Sequence, residues 1–451
     1  MKVLENRAFI LTAGNVPENK ESIYISKSLL KKWELKHGES IFVRAGINQL
    51  SLQIRQLPGR DSLVKLAEES MQDLLIPLLT FPVRVQYCPN ENRLTIGPIL
   101  ALLTNHTPNS LNGTFDNDLF YRELSSYCSE QGFIFYLLKL QSLEDRQVLG
   151  YYPTENQWER TLLPMPNVIY NRLHSRKLEK SVDFHHFVSK LQELAIPLFN
   201  GGFLSKWEVH ELLSIENSLL PFLPETVPLK IESDFITFLF KHPAVYVKPS
   251  FGSQGKNICK LTQTSEGWVI EHSNNLTSFL VQSEAEVFQI LKKQSRRRSY
   301  IIQKGISLFE VDDKKTDFRV LLIKNQQHNW KITSIIARTG HAGHIVSNLA
   351  RGGEMENGLE FLLTIFEPAK AYEMYQTLSQ LALKTAEVLS NGRSDLFGEL
   401  GIDLALDTDY FPWIIEVNSK PSKKFIGNYV RFRPSVRKII DYMHALYLNP
   451  N

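Results

Sequence analysis

Cysteine is scarce: three of the 451 residues, Cys88, Cys128 and Cys259, widely separated and with no CxxC pair. An odd, scattered set supports neither a disulfide framework nor a structural zinc site, and it suits a reducing compartment. Long apolar runs are lacking as well. No stretch approaches the ~18 uninterrupted apolar residues of a membrane span, and the opening MKVLENRAFILTAGNVPENK has only a short apolar patch without a signal-type cleavage site. The expected location is therefore cytoplasmic, with no membrane span. Charge of one sign is also missing, because 51 Lys and Arg against 48 Asp and Glu leave +3. No overall field draws the chain to nucleic acid or an anionic bilayer. The one strong charge run, KKQSRRR at 292–298, has no interleaved aromatics and reads as a solvated helix end, so no nucleic-acid partner is expected. Gly (23) and Pro (21) are not enriched, and no fixed-period repeat is visible, which excludes low-complexity, solenoid and propeller architectures.

What is present is an ordinary globular composition with length for about three domains. Residues 1–92 form a β-rich module. IFVRAGINQLSLQIR alternates Ile41, Val43, Leu50, Leu52 and Ile54 about an Ala-Gly turn, and FPVRVQYCPNENRLTIG alternates Val83, Val85, Tyr87, Leu94 and Ile96 about a Pro-Asn turn. A small antiparallel sheet or barrel is expected, in a structural or docking role. Residues 93–172 follow as a small α/β domain. GPILALLTN and FIFYLLKL are buried strands flanking a helix with Leu119, Phe120, Leu124 and Tyr127 on one face, and VIYNRL is a further strand. Residues 173–451 alternate strands and helices. Among them AYEMYQTLSQLALKTAEVLSNG spells a long helix with Met374, Leu378, Leu381, Thr385 and Val388 on one face.

Three segments of that last part carry chemistry. In YVKPSFGSQGKNI (246–258) Lys248 ends a β-run before a loop with Ser250, Gly252, Ser253, Gln254 and Gly255. Small residues let backbone N–H groups approach phosphate oxygens, and the lysine neutralises their charge. The GxxxxGK[ST] spacing of a P-loop is absent, and a plain Gly-Ser turn gives the same pattern. In ELGIDLALDTDYFPWIIEVNSKPSKK (399–424) a hairpin brings Asp403 to Glu416 and Asn418, three oxygen ligands suited to Mg²⁺ on triphosphate oxygens. In DFRVLLIKNQQHNWKITSIIARTGHAGHIVSNLARGG (317–353) Asp317 and Arg319 share a strand face, Arg338 ends the paired strand, and Asn348 precedes a Gly-Gly turn. Arginine offers planar donors to phosphate or carboxylate, although Asp317 and Arg319 also fit a simple ion pair. His341 and His344 lack a third ligand and do not make a metal site.

In chain order these motifs, with FLSKWEVH, YIIQKGISL and SNLARGG between them, resemble the ATP-grasp superfamily over about residues 93–451. LFNGGFLSKWE, NLARGGE and IIEVNSKPSKK resemble in particular the YheC/YheD group, the endospore coat-associated ATP-grasp proteins of spore-forming bacilli. The resemblance implies an α/β, multidomain ATP-grasp fold at 173–451 with a lid lobe at about 240–305, preceded by the small parallel α/β domain and the β-rich module. It implies that Lys206 and Lys248 contact ATP phosphates and that Ser250 to Gly255, including Ser253 and Gln254, close over them. Gln303, Lys304 and Gly305 would hold adenine, with Asp317 near the ribose. Arg319, Arg338 and Asn348 would face the γ-phosphate and an acceptor carboxylate, and Asp403, Glu416 and Asn418 would bind one or two Mg²⁺. The function implied is an ATP- and Mg²⁺-dependent ligase activating a carboxylate as an acyl phosphate for an amine or similar nucleophile. A kinase acting on a hydroxyl and a nucleotide-binding coat protein without turnover stay open beside it. Spore-coat proteins are the implied partners; the acceptor and nucleophile are not specified.

Overall fold

The computed structural model describes residues 8–10, 19–57, 63–77, 79, 81–109, 113–144, 146–252, 255–273, 278–295, 298–340, 354–423 and 431–449. The chain divides into two compact units, Met1–Gly201 with Asn325–His328 and Tyr429–Asn451, and Gly202–Lys324 with Asn329–Asn428.

The first unit opens with a closed barrel of β1 (Ala8–Ile10), β2 (Ser22–Ser26), β3 (Ser40–Ala45), β4 (Asn48–Leu57), β5 (Leu63–Leu66), β6 (Val83–Cys88) and β7 (Arg93–Ile96). The expected hairpins form, β3 with β4 and β6 with β7. The expected all-antiparallel pairing does not, because β1–β5, β2–β4 and β3–β7 run parallel. Alternation specifies which face of a strand is buried, not the direction of its neighbour. The short helix α1 (Lys27–Trp33) between β2 and β3 supplies a crossover that a hairpin would not need.

After the barrel comes a six-stranded sheet of β8 (Ile99–Leu103), β9 (Ile134–Leu138), β10 (Gln147–Pro153), β11 (Trp158–Pro164), β12 (Val168–Asn171) and β13 (Leu198–Phe199), in the order β11-β10-β9-β8-β12-β13. β9, β8, β12 and β13 are parallel neighbours. Every residue of β8 and β9 is buried, as a sheet covered on both faces requires. The covering helix after β8, Asp118–Gln131, buries Phe120, Tyr121, Leu124 and Cys128. Leu119, expected on that face, is instead 75% exposed. Barrel and sheet share one apolar core, from Ile23 and Val43 through Ala101 to Leu191. This unit continues past the expected division at residue 172, because the helix Val182–Glu193 packs into that core and β13 extends the sheet. The C-terminal helix Pro434–Leu448 also belongs to it, with Val436, Ile439, Ile440 and Met443 fully buried.

The second unit holds two sheets. One is ordered β14-β19-β15-β16-β17-β18, from β14 (Thr226–Pro228), β15 (Ala244–Pro249), β16 (Cys259–Thr264), β17 (Gly267–His272), β18 (Ser278–Val281) and β19 (Tyr300–Lys304). The helices Glu232–Lys241 and Glu284–Ser295 pack on it through Phe235, Phe238, Val287 and Phe288. The other is ordered β23-β22-β21-β24-β25, from β21 (Lys314–Lys324), β22 (Trp330–Thr339), β23 (Glu354–Asn357), β24 (Glu399–Leu406) and β25 (Pro412–Asn418), with the short β20 (Glu310–Val311) paired to β21. Its apolar face rests on the long helix Pro368–Asn391, which buries Met374, Leu378, Leu381 and Thr385. Each buried Leu or Met there stabilises the packing by roughly 1.5–3 kcal/mol.

Candidate functional site

Strand register assembles the site. On β21 and β22 Asp317 stands opposite Arg338; across β21 and β24 Arg319 stands opposite Asp403; across β24 and β25 Asp403 stands opposite Glu416. Because alternate residues share a face, Phe318, Val320 and Leu322 point into the core while the charged row points the other way. A register shift between Asp403 and Leu404 lets Asp403 face Glu416 while Leu404 faces Ile414. Gly401 is required beside it, since a Cβ there would come within 2.8 Å of Pro421.

The charges are paired with one another. Arg319 donates two hydrogen bonds to Asp403, through Nε to Oδ1 and through Nη2 to Oδ2 at 2.8 Å. Arg338 donates from Nε to Asp317 at 2.5 Å, and its Nη2 lies 3.1 Å from Asp403 Oδ1. Asn418 Nδ2 donates to Asp403 Oδ2 at 3.4 Å. Burial pushes the Asp403 carboxyl up, but Arg319 and Arg338 together outweigh it and hold the group below the ordinary aspartate range. Burial likewise pulls Arg338 down, and Asp317 and Asp403 more than reverse it.

Two lysines complete the cleft. Ser205 caps the helix Lys206–Ser214 with a capping box: its Oγ accepts from Glu208 N at 3.1 Å, and the Glu208 carboxylate accepts from Ser205 N at 3.5 Å. This fixes Lys206 in the first turn. Its amide donates to Ser250 O at 2.9 Å, while Nζ donates to Glu416 at 2.9 Å and to Gly252 O at 3.3 Å. Lys248, near the end of β15, donates from Nζ to Gln303 Oε1 at 2.5 Å, and Gln303 Nε2 donates to Thr226 Oγ1 at 3.0 Å. Burial first, and the nearby Lys206 second, push Lys248 down to about 8 against the pull of Glu416. A neutral amide oxygen is a weak counterpart for a buried ammonium.

These side chains line one open cleft of about 1020 Å³. Six cationic residues (Lys206, Lys248, Lys304, Lys315, Arg319, Arg338) face three carboxylates (Asp317, Asp403, Glu416), with an apolar part made by Pro224, Tyr246, Ile258, Ile306, Leu308 and Ile415. Of the residues expected from sequence, Lys206, Lys248, Gly255, Gln303, Lys304, Asp317, Arg319, Arg338, Asp403, Glu416 and Asn418 all line it. Ser250, Gly252 and Gly305 sit at its margin as backbone partners. Gly305 N donates to Ala244 O at 2.8 Å, and a Cβ on Gly305 would meet that same oxygen at 2.8 Å. Ser253, Gln254 and Asn348 lie outside the described residues. Tyr246, Lys315 and the apolar wall were missed. The signal for the first two was period-two alternation, since Tyr246 precedes Lys248, and Lys315 precedes Asp317, by two. Among the described residues no group of three or more His, Cys, Asp or Glu side chains is placed to hold a metal.

The two sheets of the second unit bound a cleft in which cationic side chains outnumber carboxylates six to three, and the family shown by sequence is of the ATP-grasp class. The chain belongs to the YheC/D-like ATP-grasp family, whose sequence model matches residues 195–446. It is 30% identical over 396 residues, 86% of each chain, to the endospore coat-associated protein YheD of Bacillus subtilis (strain 168). To the endospore coat-associated protein YheC of the same organism it is 26% identical over 284 residues, 61% of this chain and 76% of the relative. Among solved structures, the D-alanyl-alanine synthetase A of Vibrio cholerae O1 superposes at a TM-score of 0.43 and 11% identity, covering 78% of this chain and 99% of that one. The D-alanine-D-alanine ligase of Coxiella burnetii superposes at 0.42 and 9% identity, covering 78% and 94%. No described helix is long and apolar enough to cross a membrane.

Proposed function

We propose that the chain is an ATP-dependent carboxylate ligase that works with Mg²⁺ and serves endospore coat formation. One observation carries this: the Asp317/Arg338, Arg319/Asp403 and Glu416 row lies in the same cleft as Lys206 and Lys248, with cations in excess. Lys206 and Lys248 would take the phosphates, with Ser250, Gly252 and Gly255 beside them. Gln303, Lys304 and Gly305 would border the base against Tyr246 and Ile306, and Asp317 would lie near the ribose. The donor set fits a hard cation, since Asp403 and Glu416 are adjacent carboxylates and Asn418 adds an amide oxygen. Once bound, Mg²⁺ would neutralise phosphate charge.

In the reaction, a carboxylate oxygen attacks the γ-phosphorus, the bond to the β-phosphate oxygen breaks, and ADP leaves. An amine then attacks the acyl carbon of the acyl phosphate, loses a proton, and expels inorganic phosphate. Arg319 and Arg338 would hold the acceptor carboxylate in line, exchanging carboxylate partners for phosphate and substrate oxygens, and Asn348 would share that role. Positioning and charge carry such chemistry, so no protein nucleophile is required. Coat association is carried over from the names of the relatives, and synthesis in the cytoplasm precedes it.

The test is to supply amino acids, short peptides and other carboxylates with MgATP and hydroxylamine. Acceptor-dependent ADP release with a hydroxamate product is expected. A stable phosphate ester would make the chain a kinase, and nucleotide binding without ADP release across the screen would make it a nucleotide-binding coat protein.

A further inference from the structure

The sheet β14-β19-β15-β16-β17-β18 carries a short chain of polar side chains that ends at Lys248. Register puts Gln303 of β19 between Thr226 of β14 and Tyr246 of β15, and side chains directly opposite one another share a face of the sheet. Lys248, two residues beyond Tyr246 on β15, projects from that same face. Thr226 is 4% exposed and Gln303 8%. At that burial each polar hydrogen needs an acceptor, so the choice made by one side chain constrains the next.

The constraint starts at Pro224. Its carbonyl oxygen accepts from the Thr226 hydroxyl at 2.8 Å, and a hydroxyl has a single hydrogen to give. Toward Gln303, then, Thr226 Oγ1 can only accept, and it does so from Nε2 at 3.0 Å. That leaves the amide oxygen at the opposite end, where it accepts from Lys248 Nζ at 2.5 Å. The reverse orientation of the amide would set Nε2 against the ammonium group, donor facing donor. It would also leave one hydroxyl hydrogen for two oxygens, Pro224 O and Gln303 Oε1, one of which would be buried without a partner.

We infer that Thr226 is a positioning residue of the nucleotide cleft: its hydroxyl, committed to Pro224, orders the Gln303 amide so that Lys248 always meets an acceptor and never a donor. Thr226 does not itself line the cleft, whereas Pro224, Gln303 and Lys248 do. It therefore acts through Gln303. An amide free to turn would spend part of its time with Nε2 toward Lys248, and the ammonium would then lose its hydrogen bond and the direction that the bond imposes. The Tyr246 ring, whose centroid lies 5.5 Å from Lys248 Nζ, supplies attraction without such a direction. This role rests on the reading of Lys248 as a phosphate contact.

The experiment compares, in the full chain, Thr226→Val, which keeps the shape and removes the hydroxyl, with Thr226→Ser, which keeps the hydroxyl. The side-chain amide of Gln303 is followed by ¹H–¹⁵N NMR, its signal assigned by its loss in Gln303→Leu, and MgATP affinity is measured by calorimetry. Thr226→Val should speed exchange of the amide protons with solvent and weaken MgATP binding about fivefold, the equivalent of one neutral hydrogen bond. Thr226→Ser should return both to within about twofold of wild type. Added to Gln303→Leu, Thr226→Val should change affinity by less than about twofold, because the group it orders is gone. If the valine variant does not fold, Thr226→Ala is read in its place. An amide signal or an affinity unchanged in Thr226→Val overturns the inference, as does a loss that serine fails to rescue or that persists beside Gln303→Leu. A wild-type chain that binds no MgATP refutes the phosphate reading instead, and is told apart by the amide signal, which responds to Thr226→Val and recovers in Thr226→Ser whether or not nucleotide binds.

Discussion

Lys248 and Asp403 are buried side chains of the same cleft, and their company is opposite. Lys248 is met by one neutral amide oxygen and by the repulsion of Lys206, and its ammonium is pushed down to about 8. Asp403 is met by two guanidinium groups and stays ionised. The lysine side holds one carboxylate, Glu416, for the two ammonium groups of Lys206 and Lys248, whereas the aspartate side is balanced before anything binds. A ligand thus gains most where charge is uncompensated, and must displace partners where it is compensated.

The sharpest way to break this contrast is Asp403→Ala. It strands Arg319 and takes from Arg338 one of its two carboxylates, and urea unfolding should show a loss of about 3–5 kcal/mol, the usual cost of removing one partner from a buried pair. A loss below about 1 kcal/mol would mean that Arg338 is satisfied by Asp317 alone and that Arg319 finds another partner. Lys248→Met should behave in the opposite way. Stability at pH 7 should stay within about 1 kcal/mol of wild type, because relief of the buried charge offsets the unbonded Gln303 oxygen. Nucleotide affinity by calorimetry should fall about tenfold or more. Equal losses of stability in the two variants would erase the comparison.

A pH series sharpens it further. Lys248 has a folded-state value of about 8 against about 10.4 unfolded, so between those values the unfolded chain binds more protons. Its contribution to stability is complete above about pH 10.4 and is lost as pH falls through about 8. Wild type should therefore gain on Lys248→Met as pH rises from 8 to 10, and a flat difference would refute the shift. Nucleotide affinity should meanwhile decline from pH 7 to 9, because the neutral amine is a poor phosphate partner. The smallest effect is expected from Ser205→Ala, which removes half of the capping box beneath Lys206 and should cost about 1 kcal/mol in thermal or urea unfolding.

Much of this was legible because it lies in period and spacing. The hairpin carrying Asp403, Glu416 and Asn418 and the buried stripe of the 368–391 helix follow from local alternation, whereas the sequence offered Asp317 a pairing with Arg319 and the structure gives it Arg338 across β21 and β22. Three things were not. Parallel pairing in the barrel joins strands that are distant in sequence, such as β3 and β7, and alternation is blind to it. The pairing of Arg319 and Arg338 with Asp403 depends on three strands converging, where a motif shows only side chains free to meet a ligand. The apolar wall of Ile306, Leu308 and Ile415 is indistinguishable in sequence from core.

The helix Pro434–Leu448 has a consequence for how the protein is made. It lies against Asp118–Gln131 and β12, and Arg433 reaches Glu123 across 310 residues of chain. During synthesis the first unit emerges early, yet the face carrying Tyr170 and Phe199 stays bare until that helix leaves the ribosome. The second unit is, in effect, a long insertion in the first, and its translation time sets how long the bare face needs chaperoning. A chain truncated after Gly201 would expose it permanently, so an independent first unit should be made by joining Gly201 to the helix Pro434–Leu448 through a short linker.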